Sequence, residues 1–141
     1  MILDSTHTKK SHKQIITDLI GKPFSFFESI RLGGVGSKKM IIHEVSPNLQ
    51  PYLNTGSNIN YATIEMRSDG ILVFINKRLK NFIWIIPYYQ LAIYKANGIS
   101  IHAQGTFIHL KTNKVFKENK SFLDKLLNKK VAYDERFKFQ F

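Results

Sequence analysis

The chain has 141 residues, no cysteine, and 21 Lys and Arg against 10 Asp and Glu, a formal net charge of +11. That length fits one domain with a core of its own, and the lack of cysteine excludes a disulfide framework and any thiolate zinc site. Hydrophobic residues make up 43% and charged residues 22%, the balance of a folded chain and not of a disordered one. The cationic surplus favours polyanionic partners: nucleic acid, anionic lipid head groups or an acidic protein. Lysine, asparagine and isoleucine are all abundant, so the surplus also has a purely compositional reading.

Residues 1–14, "MILDSTHTKKSHKQ", contain no apolar stretch of signal-peptide length and read as a polar, basic arm. "SHKQIITDLIGK" predicts a short helix, with Ser11 at its start, Ile15, Ile16, Leu19 and Ile20 on one face, and Gly21 and Pro23 beyond its end. Residues 1–22 are taken as arm plus helix, and 23–141 as one domain. "FSFFESIRL" (24–32) alternates as a strand, and "MIIHEV" (40–45) as another. The glycine-rich "GGVGSKK" between them predicts a hairpin with a flexible tip. Residues 46–58, "SPNLQPYLNTGSN", read as a loop or lid.

A series of strands begins at Ile59. "NYATIEMR" alternates, and "SDG" (68–70) predicts a hairpin turn in which Asp-Gly tolerates positive φ. "ILVFI" (71–75) and "FIWII" (82–86) are apolar throughout, as strands covered on both faces are. The basic loop "NKRLKN" (76–81) joins them. Pro87 must fall at a strand end, edge or bulge. "YYQLAIYK" continues, and "NG" (97–98) and "QG" (104–105) mark turns framing "ISIHA" and "TFIHL". If the second turn centres on Gln104-Gly105, residue 103 pairs with 106 and His102 with residue 107. A C-terminal helix is expected from about Ser121, with Ser121 and Asp124 at capping-box spacing. Phe122, Leu123, Leu126 and Leu127 form its apolar stripe. Phe137, Phe139 and Phe141 alternate in the tail, as a last strand or a packing segment.

Three of these segments carry a family likeness. "MRSDGILVFINKR", "FIWIIPYYQLAIYK", and "GISIHAQGTFIHLK" running into "SFLDKLLNKK" resemble a pleckstrin-homology-like domain of the small bacterial and GRAM-like type. The resemblance implies a mainly β (α+β) fold: a bent antiparallel sheet or partly open barrel of about seven strands, capped by a C-terminal amphipathic helix. It spans about residues 24–131. The expectation taken with it is a non-enzymatic binding module with no cofactor. Trp84 lies in a strand, where typical eukaryotic members carry a Trp on the capping helix. Arg31, Lys38 and Lys39 do not reproduce the spacing of the phosphoinositide motif, so no specific phosphoinositide follows.

Motifs for other chemistries fail on context. A P-loop needs Lys after its last glycine and a helix beyond, but Ser37 follows Gly36 and the next run reads as a strand. His102 and His109 share a predicted hairpin without a third metal ligand. The acidic residues are scattered, and no Ser–His pair sits in a nucleophile-elbow context. The residues expected to contact an anion or partner are Lys38, Lys39, Lys77, Arg78 and Lys80. The expected partner is an anionic lipid surface or an acidic protein. A nucleic-acid module using Lys9, Lys10 and Lys13 as well is the alternative, and an enzyme with the 46–58 loop as lid is a third reading. The most apolar stretch, Phe82 to Ile86, is five residues long, far short of the roughly 18 that span a bilayer. No transmembrane segment is expected, and a cytoplasmic location is.

Overall fold

The computed structural model describes residues 1–6, 10–54 and 59–136. The tail Phe137, Phe139 and Phe141, and Lys9 of the arm, lie outside them. Among the described residues eight strands form one antiparallel sheet: β1 (Ile2–Asp4), β2 (Met40–Val45), β3 (Tyr61–Met66), β4 (Gly70–Lys77), β5 (Lys80–Pro87), β6 (Ala92–Lys95), β7 (Gly98–Ala103) and β8 (Thr106–Lys111). Their order is β1-β5-β4-β3-β2-β8-β7-β6. Strand β2 therefore joins a meander of β2 to β5 to a second meander of β6 to β8.

The sheet is open but strongly bent. Four ladder steps separate β5 from β8, about 19 Å in a flat sheet at the usual strand spacing. Yet the side chain of Gln104, in the β7–β8 turn, reaches β5. Its Nε2 donates to the Ile85 carbonyl at 3.3 Å and to Gln90 at 2.7 Å, and its Oε1 accepts from Trp84 Nε1 at 3.3 Å. The indole N–H, on a side chain only 1% exposed, thus has the partner that burial demands.

The two apolar runs are covered on both faces, as expected. Ile71, Val73, Ile75, Trp84 and Ile86 point into the main core, while Leu72, Ile83 and Ile85 form a second core with Ile16 and Ile20. Those two isoleucines belong to helix α1 (Lys10–Ile20), which lies on the outer face of β4 and β5. The Asp69-Gly70 turn is present, but Gly70 is not needed for a positive φ. A Cβ there would stand 2.4 Å from both Ile20 Cγ2 and the Ile86 carbonyl, so the glycine is what lets α1 and β5 approach. The residue pairs Ala103–Thr106 and His102–Phe107 are in the expected register. Gln104 and Gly105 both have positive φ, as a two-residue hairpin turn of matching twist requires. Pro87 ends β5, and the 3₁₀ turn Tyr88–Gln90 follows.

Three stretches differ from the sequence expectation. Ile2–Asp4 of the polar arm pair with Trp84, Ile83 and Phe82 at the sheet edge. Phe26–Arg31 form helix α2 and not a strand. Ser25 accepts from Glu28 N, and the Glu28 carboxylate accepts from Ser25 N, a reciprocal capping box that selects a helix start over strand alternation. The glycine stretch is consequently not a hairpin tip. Gly33 and Gly34 end α2 with positive φ, and Val35–Ser37 then run beside β3 through Met66 N to Val35 O and Ser37 N to Ile64 O, each 2.8 Å. Pro47–Tyr52, in the segment read as a loop or lid, form a 3₁₀ turn pinned by the fully buried Leu49, and residues 55–58 of that segment lie outside the described residues.

The C-terminal helix is present but starts differently. Helix α3 (Lys114–Glu118) leads through Asn119 into α4 (Lys120–Arg136). Asn119, 3% exposed, clips the two helices to the chain at Lys38, accepting from Lys38 N at 2.9 Å. Asp124 pairs with Lys120 and takes no part in a capping box with Ser121. Phe122, Leu123 and Leu126 enter the main core, and Leu127 is half-buried.

Candidate functional site

The β4–β5 hairpin carries three of the five expected basic residues on one turn. Lys77 and Lys80 are directly paired across the hairpin, and Arg78 adopts φ 54° at its tip. Lys77 Nζ donates to the Pro51 carbonyl at 2.8 Å, which props the hairpin against the 3₁₀ turn. Arg78 and Lys80 make no ion pair among the described residues. Between them stands Leu79, 92% exposed, the most solvent-exposed large apolar side chain among the described residues. Sequence reasoning counted the charges of this loop and passed over the leucine. The available signal was a lone aliphatic residue set among cations where a solvated turn would carry a polar one.

Lys39 belongs beside this tip. It lines an outer-face groove of about 340 Å³ together with Tyr61, Thr63, Asn76 and Asn81, the last two being the residues that flank the hairpin turn. Lys38 does not join them. Its ammonium pairs with Glu118 at 3.3 Å, and both backbone groups are bonded by Asn119, at the α3–α4 junction.

The chain entering α1 approaches the same tip. Ser5 N donates to Asn81 O at 2.7 Å, and Asn81 N donates to Thr6 Oγ1 at 3.0 Å. Helix α1 then begins four residues on with Lys10, has Lys13 in its opening turn and has no acid there. Lysines at a helix N-terminus oppose the macrodipole. The charge is placed against helix stability, and it adds to the positive field at this end of the molecule.

The glycine stretch has the wrong polarity for phosphate. The carbonyls of Leu32, Gly33 and Gly34 converge on Lys125 Nζ at 2.7, 3.0 and 3.1 Å. A phosphate cradle presents N–H groups, and this one presents oxygens to a cation. Trp84 and Tyr88 are each 1% exposed and present no ring face to solvent, while Tyr89 is 67% exposed. The His102 ring stacks on Phe107, and His109 meets His43 edge to face. No group of three or more His, Asp or Glu that would hold a metal occurs among the described residues. A second exposed apolar group, Phe26, Phe27 and Ile30 on α2, lies on the α4 side.

Among the described residues no helix is long and apolar enough to cross a membrane. Comparisons with family models, curated proteins and solved structures found no match for this chain.

Proposed function

We propose that the protein is a non-enzymatic module of pleckstrin-homology-like fold that docks on an anionic lipid surface through the β4–β5 tip. The observation that carries this reading is Leu79, fully projecting between Arg78 and Lys80. An aliphatic side chain held in water by a rigid hairpin gains about 1.5–3 kcal/mol when it is buried. Each flanking cation near an anionic bilayer adds about 1 kcal/mol. Together they give weak, reversible docking that needs both parts.

The strand order supports the fold reading. Two antiparallel meanders joined through the pairing of β2 with β8, a bent open sheet and a helix packed on the core are parts that such a barrel-like architecture has. The short strand β1 and the helix α1 are additions to it. The aliphatic tip favours lipid over nucleic acid, because Leu79, the most exposed side chain of the tip, offers no π-face to a base; the exposed ring in the adjoining Lys39 groove is Tyr61, which is where a single strand would have to stack.

Vesicle co-sedimentation tests the proposal. The protein is expected to pellet with phosphatidylserine-containing vesicles, and less so as sodium chloride rises, because exposed charge is screened. Leu79→Ala is expected to weaken binding about tenfold, in line with the loss of one buried aliphatic side chain. Equal binding to neutral vesicles, or no binding to either, rules the reading out.

A further inference from the structure

A cleft of about 330 Å³ opens across the end of the β6–β7 hairpin, against α3 and the first turns of α4. It lies at the opposite end of β7 from the Gln104 turn and shares no lining residue with the β4–β5 tip. Its floor is main-core surface: Ile99 and Leu123, with Phe116 and Leu127 at the sides. Lys95, Lys117 and Lys120 stand around its mouth. The one acid there, Asp124, is already bonded to Lys120 at 2.7 Å. Lys95 and Lys117 make no ion pair among the described residues.

The geometry points to a binding site for a single-chain amphiphilic carboxylate, its tail on the apolar floor and its head group between Lys95 and Lys117. The volume falls at the small end of ligand sites, about 300–1,000 Å³, which suits one alkyl chain. Lysine stems extend the apolar wall while their ammonium groups remain in water, so an anionic head and a hydrocarbon tail are met at the right depths. The cleft crosses the hairpin end and does not run along the open edge of β6, so an extended peptide added as a strand is not what it is shaped to hold. Its form is fixed by Gly98, whose φ is +116° and where a Cβ would stand 2.1 Å from the Leu110 carbonyl oxygen. The hairpin end is thereby drawn tightly onto β8.

The test uses the full chain with decanoate and decyltrimethylammonium, each below its micelle-forming concentration. Calorimetry is expected to give saturable one-to-one binding of decanoate, at least tenfold tighter than the cationic analogue. Amide shifts in NMR spectra are expected at Ile99, Phe116, Leu123 and Leu127. Lys117→Glu, a change on the exposed rim, is expected to weaken decanoate binding at least tenfold, and Leu127→Trp to block it by filling the cleft. Arg78→Glu is expected to leave it unchanged, which separates this site from lipid docking at the hairpin tip. Binding of the cation as tight as that of decanoate, shifts scattered over the surface, or no decanoate binding would each overturn the inference.

Discussion

Tyr88 brings its phenol into a site that is 1% exposed, where the hydroxyl donates to the Arg67 carbonyl at 3.1 Å. Burial raises its pKa far above the ordinary value of 10.0, and the Asp69 carboxylate adds to the shift. The phenolate is thus penalised only in the folded chain. Above pH 10 the unfolded chain releases this proton and the folded chain does not, so the unfolded state binds fewer protons and stability falls with rising pH. The contribution is complete below the ordinary tyrosine value and is lost as pH climbs beyond it, by up to about 1.4 kcal/mol per pH unit. Tyr88→Phe removes both the bond and the titration. It is expected to cost about 1 kcal/mol at neutral pH and to decline less steeply than the native chain between about pH 10 and 12. Urea unfolding of both proteins at pH 8 and pH 11 measures the difference. Parallel alkaline losses would show that the phenol plays no such part.

At the level of elements, the legible parts of the sequence were those fixed by short-range pattern. The unbroken apolar runs 71–75 and 82–86 announced two covered faces, and Asn97-Gly98 and Gln104-Gly105 announced turns, because each needs only neighbouring residues to decide it. The segment 24–39 fits two short-range patterns at once, strand alternation and the Ser25–Glu28 capping-box spacing, and local sequence does not decide between them; the fold uses the second. The lysine that holds its far end is 91 to 93 positions away, and no local pattern could show it. Of the basic residues, the hairpin set Lys77, Arg78 and Lys80 was legible because a tight turn keeps sequence neighbours together. Lys38 was not, since its partners lie on α3 and at Asn119. The long-range tie makes α2 dependent on α4. Lys125→Met leaves three carbonyls without their cation, and is expected to cost about 1–2 kcal/mol, the lower range for bonds to a charged group that water partly replaces. The loss is expected to be local. Hydrogen exchange at residues 26–34 is expected to accelerate while β4 and β5 keep their protection. Uniform acceleration across the sheet would instead make this contact part of the global fold.

For the whole molecule, a net charge of +11 sets folding and the proposed docking against each other. Like charges repel in the compact state. The four ion pairs described are partly or largely exposed, except that the Lys130 and Arg67 side chains are mostly buried, and exposed pairs offset little of that repulsion. Salt at modest concentration screens the repulsion, so thermal stability is expected to rise with sodium chloride from low ionic strength toward the physiological range. The proposed lipid docking, which would use the same charges attractively, is expected to fall over that range. The double substitution Arg78→Glu with Lys80→Glu separates the two effects. Both residues lie on an exposed turn without ion pairs among the described residues, and the change lowers the net charge by four. At low salt the variant is expected to melt at the same temperature as the native chain or slightly above it. Its binding to phosphatidylserine vesicles is expected to fall at least thirtyfold, because two attractions of about 1 kcal/mol each become repulsions. Calorimetric melting and co-sedimentation on the same preparations decide it. A variant that melts lower while binding as well as the native chain would mean that these cations serve the fold, and would take the charge from the docking surface proposed for them.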